Sequence, residues 1–225
     1  IRDHCVTGVQ TCALPISNNT AIGHQSLGAN TTGYSNTAIG GQTLISNTTG
    51  INNAAVGRYA LYNNTTGGSN TAMGLQALFS NTTASNNTSV GYHSLLSNTT
   101  GHSNTALGHE SGYRNTTATQ NTAVGYYALG RGSTTGVTTG IDNTAIGALS
   151  LYSIQSGQLN TAVGVAALQE TTTGSSNQAF GRRALYLNTT GTENSAFGYL
   201  ALDACTTGSY NVAMGNNALG ALTTP

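Results

Sequence analysis

The sequence predicts an all-β protein, a parallel β-solenoid (β-roll) of about twelve coils. Three observations lead to that class. The segment Asn-Thr-Ala-apolar-Gly recurs twelve times, starting at Asn19, Asn36, Asn53, Asn70, Asn87, Asn104, Asn121, Asn143, Asn160, Asn177, Asn194 and Asn211, with every spacing 17 residues except one of 22. Self-similarity at a fixed period marks an array of stacked units. Asn, Thr, Gly and Ser contribute 25, 38, 30 and 20 of the 225 residues, a composition poor in helix formers and rich in turn formers. Charged residues make up only 5% of the chain, six basic and six acidic, and lysine is absent. Stacked coils place identical positions over one another, so charge repeated in every coil would repel itself along the array.

Each element of the coil follows from the consensus N-T-A-φ-G-x-x-A-L-x-x-N-T-T-G-x-x, numbered one to seventeen. Seventeen residues cannot hold two helices and a turn, but they suffice for two short strands and two turns. The first strand is expected over positions one to four, for example Asn36-Thr37-Ala38-Ile39. A glycine corner follows at position five in every copy: Gly23, Gly40, Gly57, Gly74, Gly91, Gly108, Gly125, Gly147, Gly164, Gly181, Gly198 and Gly215. Such invariance asks for positive φ or close backbone approach. A second strand is expected near Gln42-Thr43-Leu44-Ile45, and Asn47-Thr48-Thr49-Gly50 closes the coil.

Side-chain alternation assigns faces. Two core ladders are expected. Position four supplies Ile22, Ile39, Val56, Met73, Val90, Leu107, Val124, Ile146, Val163, Phe180, Phe197 and Met214. Position nine supplies Leu27, Leu44, Leu61, Leu78, Leu95, Leu129, Leu151, Leu168, Leu185, Leu202 and Leu219, with Gly112 as the exception. The alanines at three and eight then fall on the outer side, as does position ten. Its residues Ile45, Tyr62, Phe79, Leu96, Tyr113, Tyr152 and Tyr186 form a candidate oligomerisation stripe. Ligand contact, or a wider coil that buries position ten, are the other readings of that stripe.

Residues 1–16 share neither the period nor the composition of the array, which starts at about Ser17 and runs to residue 225. Residues 6–16, VTGVQTCALPI, resemble the conceptual translation of a sequencing-adapter oligonucleotide; an N-terminal cap is the alternative. The adapter reading makes the chain a metagenomic fragment, in keeping with its ending inside a repeat at Thr224-Pro225. It also leaves Cys205 as the one cysteine of the array, so neither a disulfide framework nor a cysteine metal site is expected. The 22-residue spacing reflects a five-residue insertion within 121–142, of the kind that lengthens a loop in repeat arrays. Its Gly130–Gly136 segment looks superficially like a phosphate loop but lacks the lysine and the strand–helix context.

The chemistry-bearing residues are sparse. No catalytic site, metal or cofactor is expected, because no second carboxylate, activated nucleophile or repeated Asp pattern is present. Zero formal charge removes the electrostatic footprint for nucleic acid, and no run of 18 apolar residues spans a membrane. His93 and Glu110 share position seven in adjacent coils, beside Tyr92, His109 and Tyr126 at position six. These five form a candidate recognition patch, or more simply a solvated polar edge. The Asn-x-Thr sequons at Asn30, Asn47, Asn81, Asn98, Asn115 and Asn188 read as turn residues before they read as glycosylation sites. Threonines at two, thirteen and fourteen form ladders that suggest an ice-binding alternative, weakened by the inward placement of position two and the turn placement of the other pair.

From Asn19 to Leu219 the array resembles the head repeats of trimeric autotransporter adhesins. Asn-Thr-Ala-Ile-Gly at 36–40 is similar to their S-V-A-I-G strand, and Gly40-Gly41-Gln42-Thr43 with Gly50-Ile51-Asn52-Asn53 are similar to their paired turns. Each coil here is three residues longer, in the Asn-Thr-Thr turn. The pattern is more similar still to arrays in bacterial and phage tail-fibre-like surface proteins. The resemblance implies left-handed coils, a homotrimer, an extracellular place on a cell surface or virion fibre, and a shaft or head that contacts a surface glycan or host ligand. A purely structural spacer is a further alternative.

Overall fold

The computed structural model describes residues 17–130 and 137–223. Residues 1–16, with Cys5 and Cys12, residues 131–136 and residues 224–225 lie outside the described residues. Twelve three-residue strands form one parallel sheet in sequence order: β1 (Thr20–Ile22), β2 (Thr37–Ile39), β3 (Ala54–Val56), β4 (Thr71–Met73), β5 (Thr88–Val90), β6 (Thr105–Leu107), β7 (Thr122–Val124), β8 (Thr144–Ile146), β9 (Thr161–Val163), β10 (Gln178–Phe180), β11 (Ser195–Phe197) and β12 (Val212–Met214). Each strand pairs only with the coils before and after it, so the fold is an all-parallel β-solenoid of 17-residue coils. Register is strict, with position two over two, three over three and four over four, as in Thr88↔Thr105, Ser89↔Ala106 and Val90↔Leu107. The insertion does not disturb it: Thr122 still faces Thr144.

One strand per coil forms where two are expected. The segment Gln42–Ile45 is a turn, because positions seven and nine sit in the left-handed region: Gln42 at φ 56° and Leu44 at φ 50°. Alternate left-handed residues break the extended geometry a strand needs, yet the segment still bonds coil to coil. The N–H of Gln42 donates to His24 O at 2.8 Å, and that of Leu44 to Ala60 O at 3.1 Å. Position five has φ between 125° and 143° in all twelve copies. At Gly40 an added Cβ would also lie 2.8 Å from the carbonyl carbon of Gly57 in the next coil. Both demands exclude every side chain but hydrogen.

The fourth-position ladder is not core, and this corrects the face assignment. Ile22, Ile39, Met73, Leu107, Ile146, Phe180 and Met214 are 36–74% exposed, while Val56, Val90, Val124, Val163 and Phe197 are half-buried on the same outer face. The alanines expected outside are inside: Ala38, Ala55, Ala72, Ala106 and their equivalents at position three, with Ala60, Ala77 and Ala128 at position eight, are fully buried. The cause is parity. Asn at position one must point inward to join a hydrogen-bond ladder, so position three points inward with it, and two and four point out. Inside, β5 faces the turn segment at Ser89 and Ser94, whose hydroxyls are in hydrogen-bond contact. The interior is therefore thin, filled by small residues and one leucine per coil. Leu27, Leu44, Leu61, Leu78, Leu95, Leu129, Leu151, Leu168, Leu185 and Leu202 are buried, and Leu219 in the last described coil is exposed.

Two asparagine ladders line the rest of the interior. At position one, Asn53 donates from its backbone N–H (3.0 Å) and from Nδ2 (3.1 Å) to Asn36 Oδ1. At position twelve, Asn64 Nδ2 donates to Asn47 Oδ1 at 2.9 Å. Both ladders converge on the buried position-fifteen carbonyl, where Asn53 Nδ2 and Asn64 Nδ2 each reach Gly67 O at 2.9 Å. Hydrogen bonds this complete offset the cost of taking the amides out of water.

Candidate functional surfaces

Three outward surfaces run the length of the solenoid. The first is the outer face of the strand ladder, with position two beside position four. Thr37, Thr71, Thr88, Thr105, Thr122, Thr144 and Thr161 are half-exposed there, so position two faces outward, against the inward placement expected of it. No hydroxyl in this column bonds to protein among the described residues. The six threonines of β4 to β9 run without interruption beside Met73, Val90, Leu107, Val124, Ile146 and Val163. The face carries no charged side chain.

The second surface is the Asn-Thr-Thr turn. Its two threonines differ. Thr48 Oγ1 donates to Thr65 O at 3.1 Å, and Thr65 Oγ1 to Thr82 O at 3.1 Å, so position thirteen is tied into the coil stack. Position fourteen (Thr32, Thr49, Thr66, Thr83, Thr100) is exposed. The asparagine before them is closed to modification in the folded chain: Asn47, Asn81, Asn98, Asn115 and Asn188 are fully buried and amide-bonded. Only Asn30, in the first coil, is part-exposed.

The third surface is the edge beyond the glycine corner, formed by positions six, seven and ten. The structure brings the recognition-patch rings together here. Tyr92 lies 3.7 Å from His93 and 4.9 Å from His109, centroid to centroid, with interplanar angles near 20°. His109 lies 5.3 Å from Tyr126. Tyr127, Tyr113 and Tyr152 extend the cluster. Glu110 is only 8% exposed, so it is not the solvated residue expected. The position-ten stripe of Ile45, Tyr62, Phe79, Leu96, Tyr113, Tyr152 and Tyr186 points outward but is half-buried throughout; the more exposed apolar column is position four. Elsewhere on this edge Arg58 stacks on Tyr59 at 4.4 Å, and Arg183 on Tyr186 at 4.2 Å.

Cys205 takes the place of asparagine at position twelve, buried and unpaired, with Sγ 3.9 Å from Gly208 O. Burial pushes its thiol pKa up, opposed in part by the Gly208 hydrogen bond. Among the described residues no three His, Cys, Asp or Glu side chains are grouped to hold a metal. Among the same residues no helix is long and apolar enough to cross a membrane. The array is a repeat domain that presents its variable side chains on its outer surfaces. Comparison with protein-family models, curated proteins and solved structures returned no match.

Proposed function

We propose that the array is an ice-binding β-solenoid that contacts water through the outer face of its strand ladder. The observation that carries this reading is the outward threonine column, unbroken from Thr71 to Thr161 and in register across β4 to β9. Each threonine offers a hydroxyl and a methyl, repeated about every 4.8 Å along the axis. The side chains are stiff at χ1 and stand on a backbone bonded coil to coil, so ordering water on them costs little protein entropy. The neighbouring aliphatic column supplies methyl groups, and no charge is present to hold water in competing hydration shells. The exposed threonines of position fourteen give a second regular column.

The test is thermal hysteresis with ice-crystal shaping. The intact chain is expected to produce both, and Thr105→Tyr with Thr122→Tyr to reduce hysteresis at least tenfold while leaving the melting temperature of the fold within a few degrees. No hysteresis from the folded chain contradicts the proposal.

The fourth-position column favours a second reading: the non-catalytic shaft or head of an extracellular bacterial surface adhesin or phage tail-fibre-like protein. All-parallel sheets are ordinarily covered on both faces, and here the outer face carries an uncovered aliphatic column. Twelve strands with two outward residues each present 24 residues, within the 20–30 a side of a stable interface. Further copies of the chain, in a homotrimer, match the period at every coil. Light scattering discriminates: a trimer that Leu107→Glu with Val124→Glu dissociates supports the shaft with this face as its interface. Dissociation by Tyr113→Glu with Tyr152→Glu moves the interface to the position-ten stripe, and a clean monomer contradicts self-association.

A further inference from the structure

The repeat is a regular scaffold that departs from regularity on one edge. Nine of the eleven tyrosines occupy positions six, seven or ten: Tyr59, Tyr62, Tyr92, Tyr113, Tyr126, Tyr127, Tyr152, Tyr186 and Tyr199. A spacer has no use for that concentration, and part of it carries a cost. Position seven is left-handed in every coil, with His93 at φ 54° and Tyr127 at φ 55°. Such a conformation costs a non-glycine residue about 1–2 kcal/mol. Gly or Asn would relieve it, yet asparagine appears at position seven only once, as Asn217. Every coil bears that cost, so what sets this edge apart is the concentration of rings at positions six, seven and ten in coils five to eight.

From these features we infer that the edge of coils five to eight binds a linear, neutral glycan lying along the solenoid axis. Tyr92, His109 and Tyr126 form the outer row; the two tyrosines are 42% and 50% exposed. Behind them His93, Tyr113, Tyr127 and Tyr152 are half-buried and in ring contact with one another or with the outer row. The inner row fixes the outer one, so little rotamer entropy remains to be lost on binding. Ring surfaces meet the C–H faces of a pyranose, while phenol and imidazole edges meet its hydroxyls. The outer row carries neither Arg nor a carboxylate, which selects a neutral ligand. Seven rings fall well short of the 20–30 residues a protein partner would cover. The outer row repeats about every 4.8 Å, so a chain polymer gains several contacts where a single sugar gains one.

This inference stands on a different face from the ice-binding one, so either can fail alone. The experiment is calorimetric titration of the full chain with cellohexaose as the neutral linear probe, alongside a printed array of neutral, uronate and sulfated glycans. Saturable binding to one or more neutral linear glycans is expected, weakened at least tenfold in Tyr92→Ala with Tyr126→Ala. Tyr199→Ala, on the same edge outside the cluster, should bind as the parent does, and circular dichroism should show all three folded alike. Retention of no neutral glycan overturns the inference. So does retention of acidic glycans alone, or neutral binding that the double variant leaves intact.

Discussion

Eleven leucines sit at position nine with φ between 47° and 52°, or 60° at Leu129, a region that costs a side chain about 1–2 kcal/mol. Full burial of a leucine contributes about 1.5–3 kcal/mol, so the inward side chain offsets its own backbone, and Gly112 at φ 60° escapes the cost by giving up the side chain. Glycine at position five has no such choice. Gly91→Ala would carry φ 136° and drive its Cβ into the Gly108 carbonyl, so a loss of more than about 2 kcal/mol is expected. Gly41→Ala, with no atom within 4 Å of the new methyl, should be neutral by thermal melting. Cys205 interrupts the position-twelve ladder: it has no amide to donate, and Asn188 Oδ1 beneath it is buried without a partner. Cys205→Asn should add about 1–3 kcal/mol. The thiol also binds its proton more tightly when folded. Its contribution is therefore full below the ordinary thiol pKa and is lost as pH rises through the raised value. Alkaline melts of the parent should fall faster than those of Cys205→Asn.

The coil as an element was legible in part. Period, glycine corner, strand and Asn-Thr-Thr turn all follow from spacing and composition. The faces of the strand did not, because hydrophobicity outweighed size in assigning them. Position four ranges from Val124 to Phe180, a spread that a packed interior tolerates poorly, whereas position three is alanine in all coils but one, with Ser89 the exception. That invariance in volume was the signal of burial. The second strand failed for another reason: nothing in Gln42-Thr43-Leu44-Ile45 announces positive φ, which only the geometry of coil closure imposes. Asparagine at position one read as a turn former and proved to be a core residue. Asn104 shows its weight: it donates to Asn87 Oδ1 at 3.2 Å and to Ala118 O at 2.8 Å, and accepts from the Asn121 N–H at 3.0 Å. Asn104→Ala leaves the buried Asn121 N–H without its acceptor and takes one of two donors from Asn87 Oδ1 and from Ala118 O; it should cost about 1–3 kcal/mol, read as a lowered melting temperature.

For the molecule as a whole, uniform stacking explains both the scarcity of charge and the placement of what charge there is. Every coil-to-coil column is uncharged where the repeat is strict; Arg58, Glu110, Arg182 and Arg183 sit at positions six and seven, Asp203 at ten, Arg114 and Glu170 at eleven, and Asp142 and Glu193 at the last position of their coils, where it is not. The contact between the rings of Tyr92, His93, His109 and Tyr126 was legible because two repeat positions put them in adjacent coils. The strand face was not, since alternation from an apolar position four points its threonines inward. Both functional readings of that face, water ordering and self-association, depend on position three lying inside and position four outside. Thiol labelling tests this most directly, in a background with the native cysteines replaced by alanine. Leu107→Cys should react with a maleimide under native conditions at near the rate of an unfolded chain, and Ser89→Cys, a near-isosteric change at a fully buried site, only after denaturation. Rapid native labelling of Ser89→Cys with protection of Leu107→Cys would contradict the account.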